Sequence, residues 1–172
     1  MSKKMLTEED FNNLIDKYGT EILRLCYLYL KDYQLAEDAF QDTFLKVYNN
    51  FHKFNGLSTE KTWITRICLN TCKNYLRNPW KWKVKLGNTE LNQNEISDQE
   101  IFDELEKSEL FSSIMNLKQT YKDIILMYYY QQLSVKEISQ ILGISESNAF
   151  TRLSRARQLL KDEIGGIIYE QS

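Results

Sequence analysis

Proline occurs once and glycine six times in 172 residues, so few positions force a helix to stop. Histidine occurs once, at His52, beside a predicted loop, where it reads as a surface residue rather than a base. No glycine-rich phosphate loop and no nucleophile motif accompanies it, so catalysis has little support and no cofactor is expected. No apolar run approaches the roughly 20 residues that a membrane helix needs, so membrane insertion is not expected. The opening MSKKMLTEED turns acidic before any apolar segment, unlike a signal peptide. With three cysteines and no export signal, the reducing cytoplasm is the expected compartment. What remains is rich in Leu, Ile, Lys and Glu, with 42% hydrophobic and 27% charged residues. That composition predicts an all-α chain.

The net charge of -2 argues on its face against nucleic acid, but it averages over blocks. Lys61, Arg66, Lys73, Arg77, Lys81, Lys83 and Lys85 follow one another with no acidic residue between them. Residues 86–108 then hold Glu90, Glu95, Asp98, Glu100, Asp103, Glu104 and Glu106 against one lysine. Residues 147–161 are again basic without an acid. Two basic blocks around an acidic one suggest two anion-facing surfaces on two bodies. The plainer reading is three solvated helix faces of different sign.

Helical spacing runs through Phe11, Leu14, Ile15, Tyr18, Ile22, Leu23, Leu25 and Cys26, opened by Thr7 and Asp10, with Gly19 expected to loosen it into two helices. A second helix fits residues 35–50, with Ala36, Ala39, Phe40, Phe44, Leu45, Val47 and Tyr48 as its apolar positions. Residues 51–58 read as a loop, and a third helix fits 59–77, ended by Pro79. Asn-rich, aperiodic residues 79–97 are the expected flexible linker between two small helical domains, 1–78 and 98–172. Ser97 and Glu100 predict a helix running to about Met115, and another fits 119–130. The run Met127, Tyr128, Tyr129, Tyr130 reads as core plus a rim against the last helix, or as a partner surface.

The stretch SVKEISQILGISESNAFTRLSRARQLL has the layout of a helix-turn-helix. Ser134 and Glu137 form a capping box, Val135, Ile138 and Ile141 make a short buried face, and Gly143 permits the turn. Ile144 plugs the corner and Ser145 caps a second helix that buries Ala149, Leu153, Ala156 and Leu160. Ser147, Asn148, Phe150, Thr151, Arg152, Ser154, Arg155 and Arg157 are left on its other faces, suited to the base edges and phosphates of duplex DNA. A plain amphipathic hairpin with a basic outer face is the bland alternative.

Residues 59–77, TEKTWITRICLNTCKNYLR, bury Ile64, Ile67, Cys68 and Leu76 in the expected register. Trp63, Arg66, Asn70, Lys73, Asn74 and Arg77 recur at three- and four-residue steps as an aromatic, amide and basic stripe. Such a stripe suits unpaired bases, although a lone tryptophan is more often core. Cys68 and Cys72, four apart, lack a histidine or second cysteine pair, so small core residues are favoured over a metal site; Cys26 reads the same way.

FNGLSTEKTWITRICLNTCKNYLRN, preceded by LAEDAFQDTFLKVYNNF, resembles region 2 of the extracytoplasmic-function (ECF) sigma factors of the sigma-70 family. SVKEISQILGISESNAFTRLSRARQLLKDEI resembles region 4.2 of the same family. The resemblance covers about residues 14–163, with both regions in family order.

The resemblance implies an alternative sigma factor that binds core RNA polymerase and directs promoter recognition, -10 strand capture and transcription initiation. It assigns Glu37, Asp38, Gln41, Asp42, Phe44 and Lys46, with Val47 nearby, to the clamp helices of the largest polymerase subunit. It assigns the 54–61 loop to a flipped -10 base and the Trp63 to Arg77 stripe to the -10 strand. The second domain would then hold the -35 element and the polymerase beta flap, and an anti-sigma factor is an expected partner. Phe150 stands where the family usually carries a basic residue, and Glu60 where it usually carries an aromatic one. The rival reading is a conventional helix-turn-helix regulator with an N-terminal dimerisation or sensing domain. A pure protein-interaction domain, with Arg152, Arg155 and Arg157 as surface charge, is the third.

Overall fold

Thr7 opens the first helix, α1 (Glu8–Leu30), by accepting a hydrogen bond from the Asp10 amide at 3.1 Å. Glu8, Glu9 and Asp10 place negative charge where the helix dipole is positive. The computed structural model describes residues 5–78, 80, 103 and 107–165. The linker residues 81–97, the expected cap at Ser97 and the basic residues Lys81, Lys83 and Lys85 lie outside the described residues. The chain divides into two compact units, Met1–Leu91 and Asn92–Ser172. Among the described residues there is no strand.

In the first unit α1 ends at Lys31, whose left-handed backbone returns its N–H to the Tyr27 carbonyl at 2.8 Å. Asp32 immediately caps α2 (Tyr33–Asn50), accepting from the Leu35 amide at 3.0 Å. One 3-10 turn, Phe51–Lys53, leads to a loop, and Thr59 caps α3 (Glu60–Arg77). The three helices pack pairwise around Leu14, Ile22, Leu25, Leu28, Ala36, Ala39, Phe44, Val47, Ile64, Leu69 and Tyr75.

Gly19 does not divide α1 as expected. The helix is continuous, and Gly19 is buried against Ile15 and the Phe40 ring. Leu45 and Tyr48, expected in the core of α2, are 57% and 45% exposed. Leu76 is exposed as well, while Thr62, Thr65 and Thr71 occupy the buried face of α3 instead. Burial of these threonines is tolerated where the hydroxyl turns back to its own helix, as Thr71 does to the Ile67 carbonyl at 2.8 Å.

The second unit opens with α4 (Glu109–Asn116), capped by Ser108. The expected helix running unbroken to Met115 is therefore interrupted, since Ser108 has extended backbone and starts a new helix. α5 (Gln119–Ile125) passes without a break into a π-helical turn, Leu126–Tyr130, closed by the Gln131 amide bonding the Leu126 carbonyl at 3.2 Å. Its wider turn shifts the tyrosine run out of α-helical register.

The capping box at Ser134 is complete. The Glu137 amide donates to Ser134 Oγ at 3.1 Å, and the Ser134 amide donates to Glu137 Oε2 at 2.8 Å. α6 (Val135–Leu142) ends at Gly143 with φ of 65°, and the Ile144 N–H reaches back to the Ser139 carbonyl. Ser145 then caps α7 (Glu146–Ile164), which ends at Gly165. Ala149, Leu153, Ala156 and Leu160 are buried as their spacing predicts, against α4, α5 and α6.

Candidate promoter and polymerase interfaces

The α3 stripe begins at Trp63, which is half-buried. Its ring meets the edge of Phe51 at 6.0 Å and the tilted ring of Phe54 at 5.4 Å. This aromatic cluster forms because the 3-10 turn and the following loop lie over the first turns of α3. Beside it opens a groove of about 240 Å³, lined by Lys46, Asn50, Lys53, Trp63, Ile67, Asn70 and Thr71. An aromatic wall, two amides and two lysines suit a base and its phosphate.

Of the expected stripe, Trp63 and Asn70 share this groove. Asn74 and Arg77 are exposed, and Arg66 and Lys73 half-buried, but none of the four lines it. Asn50 and Lys53 were not legible as members. For Asn50 the signal was the i, i+4 step from Lys46, closed by the Asn50 amide donating to the Lys46 carbonyl at 2.9 Å, and Lys53 carried none. A larger cavity of about 340 Å³, between the start of α1, Phe51 and Glu60, contains no stripe residue.

The loop before α3 turns at Gly56 with φ of 74°, and Asn55 Oδ1 accepts from the Leu57 amide at 3.0 Å. Leu57 at its tip is 82% exposed. Glu60, expected within this loop, is instead the first residue of α3, and its carboxylate accepts from the Tyr18 hydroxyl at 3.3 Å.

Two corrections fall on α2, at Phe44 and Val47. Phe44 is buried against Phe11 and Phe40, and Val47 is fully buried, so neither offers a contact surface. Lys46 turns toward α3, donating to Thr71 Oγ1 at 3.1 Å. Asp42 accepts a 2.6 Å hydrogen bond from Tyr75, whose phenol is pushed well above its ordinary range by burial and then by that carboxylate. The outward face carries Gln41, Leu45 and Tyr48, flanked by half-buried Glu37 and Asp38. Leu45 and Tyr48 escaped sequence reasoning because apolar side chains at helical spacing are normally assigned to the core.

In the second unit, turns of 100° per residue put Ser147, Asn148, Thr151 and Arg155 on one exposed face of α7. Half-buried Arg152 borders it, its Nε held by Asn148 Oδ1 at 3.1 Å. Phe150, 61% exposed, lies on the opposite flank. Arg157 shares that flank and does not join the face. Its Nε donates to the Tyr129 hydroxyl at 2.8 Å, with the guanidinium 5.1 Å from the Tyr128 ring centre and 5.7 Å from that of Tyr129. The tyrosine run is thus a rim against α7, and it commits Arg157 to the scaffold.

Residues 14–81 match the family model for Sigma-70 region 2, and residues 108–160 that for Sigma-70, region 4. RNA polymerase sigma factor YlaC of Bacillus subtilis (strain 168) is 33% identical over 165 residues, covering 91% of this chain and 93% of YlaC. The chain belongs to the sigma-70 family. ECF RNA polymerase sigma factor SigM of the same organism is 31% identical, over 87% of this chain and 92% of SigM. The protein is an ECF-type alternative sigma factor, and the conventional-regulator reading is not favoured.

The solved structure of sigma factor RpoE in complex with the anti-sigma factor NepR, from Bartonella quintana, is similar with a TM-score of 0.70. It covers 91% of this chain and 98% of that one at 18% identity. CnrH, solved with the cytosolic domain of CnrY, gives 0.69 at the same identity, covering 92% of this chain and 90% of that one. These likenesses are of fold. The region 4 match of this sigma factor begins at Ser108, the cap that starts α4. Among the described residues no helix is long and apolar enough to cross a membrane.

Proposed function

We propose that this sigma factor holds a promoter at two points while core RNA polymerase performs the chemistry. Residues 1–78 serve as the polymerase and -10 domain, residues 79–97 as the linker, and residues 98–172 as the -35 domain. The groove beside Trp63 is the observation that carries the reading, because it joins an aromatic wall to amides and cations on a single face. A base leaving the duplex costs a few kcal/mol. Stacking on an aromatic side chain returns roughly 1–3 kcal/mol per base. Capture by Trp63, with Asn70 at the base edge and Lys53 at the backbone, therefore shifts the melting equilibrium without any catalytic residue. Arg66, Lys73, Asn74 and Arg77 extend the basic surface along α3.

The second unit binds duplex through Ser147, Asn148, Thr151, Arg152 and Arg155. Phe150 contacts the flank of the same groove by apolar contact, as with a thymine methyl. The α2 face of Glu37, Asp38, Gln41, Leu45 and Tyr48 takes the polymerase clamp helices, apolar centre inside an acidic rim. The beta flap is the expected second polymerase contact. An anti-sigma factor is the expected regulator, by analogy with the anti-sigma factor NepR named in the RpoE structure. The protein acts in the cytoplasm, as a non-enzyme. Adding it to core polymerase should produce promoter-specific transcription. Tight duplex binding by the protein alone, with no transcription, would refute the reading.

A further inference from the structure

Cys26 on α1 and Cys68 and Cys72 on α3 meet in the core of the first unit. Their three sulfurs lie within 4.8 Å of one another, and the Cys26 and Cys68 sulfurs are 3.5 Å apart. All three residues are free thiols with no exposed surface. Sequence spacing shows only the Cys68 and Cys72 pair on one helix face; folding brings the third sulfur from 42 residues away. That contact turns an unremarkable pair into a convergent donor set.

We propose that these three cysteines form a binding site for a single soft monovalent metal ion, of which Cu(I) is the type. Sulfurs no more than 4.8 Å apart leave a common point within about 2.8 Å of all of them. Thiolate bonds to zinc are about 2.3 Å, so inward movements of about half an ångström complete coordination. The group holds no imidazole or carboxylate, and His52, the one histidine, is exposed on the 3-10 turn. Structural zinc sites are almost always four-coordinate. Three sulfurs in a site closed to solvent suit instead a soft ion satisfied by thiolates alone.

Binding breaks the S–H bonds of the coordinating thiols and releases their protons to solvent, with no change in the oxidation state of sulfur or metal. Lys46, bonded to Thr71 next to Cys72, supplies a cation near the resulting negative charge. An ion there ties α1 to α3, so loading should raise the unfolding temperature by mass action.

The test uses the full-length reduced protein without oxygen, both native and refolded with the metal present, against a chromogenic Cu(I) chelator. The expected result by either route is one Cu(I) per chain, a raised unfolding temperature, and X-ray absorption showing three sulfur neighbours. Cys26→Ala should lose this binding while circular dichroism stays helical. Failure to retain Cu(I) by both routes, or two sulfur neighbours in the wild type, overturns the proposal. So does full retention by Cys26→Ala. If Cys26→Ala does not fold, the sulfur count in the wild-type protein decides. A Cys26–Cys68 disulfide formed with diamide by protein that takes up no metal would replace the site with a redox pair.

Discussion

The Tyr75 hydroxyl donates a 2.6 Å hydrogen bond to the Asp42 carboxylate, and so ties the helix of the proposed DNA groove to the helix of the proposed polymerase face. The bond is partly buried and its acceptor is charged, which places it above the average hydrogen bond in strength. Tyr75→Phe should cost about 1–2 kcal/mol in urea unfolding. A change within error would mean that solvent replaces the hydroxyl at no cost.

Arg155 and Arg157 differ by two positions and should differ in effect. Arg155→Ala should flatten the salt dependence of -35 duplex binding by about one unit of slope. Arg157→Ala should leave the slope nearly unchanged and lower the thermal stability of the second unit, because it removes a contact to Tyr129. Fluorescence anisotropy across a salt series distinguishes the two, and equal slopes for both variants would contradict the assignment.

Leu45→Asp tests the face on α2. The side chain is largely exposed, so folding should be unaffected. Affinity for core polymerase should fall by about tenfold or more, the effect of placing a charge inside an apolar contact. Surface plasmon resonance with immobilised core enzyme measures it.

Gly19→Ala asks whether the glycine is needed. An added Cβ would meet Ile15 at 3.5 Å and Phe40 at 3.6 Å, ordinary contact distances, and the backbone there is helical. Alanine should therefore stabilise the protein by about 0.5–1 kcal/mol through helix propensity. Destabilisation would show that Phe40 has no room to keep its place.

Local chemistry was the legible part of this fold. Thr7, Ser134 and Ser145 cap the helices they were expected to cap, since a cap involves residues three apart. Gly143 likewise needs only its own backbone angles. The α7 core was readable because Ala149, Leu153, Ala156 and Leu160 repeat at one face. What stayed hidden depends on residues far apart in the chain. Tyr129 takes Arg157 across 28 positions, Tyr75 takes Asp42 across 33, and Cys26 reaches Cys68 across 42. Leu45 and Tyr48 were misread for a different reason. Hydrophobic periodicity cannot separate a residue buried in its own domain from one kept for a partner.

The most direct measurement of the two-point grip compares core binding with promoter opening for Trp63→Ala. Permanganate reactivity of unpaired thymines reports opening, and co-migration with core polymerase reports binding. Stacking energies of about 1–3 kcal/mol correspond to a loss of roughly 5- to 150-fold in opening, with core binding unchanged. Equal loss of both would reduce Trp63 to a packing residue against Phe51 and Phe54, and unaltered opening would remove the groove from the promoter altogether.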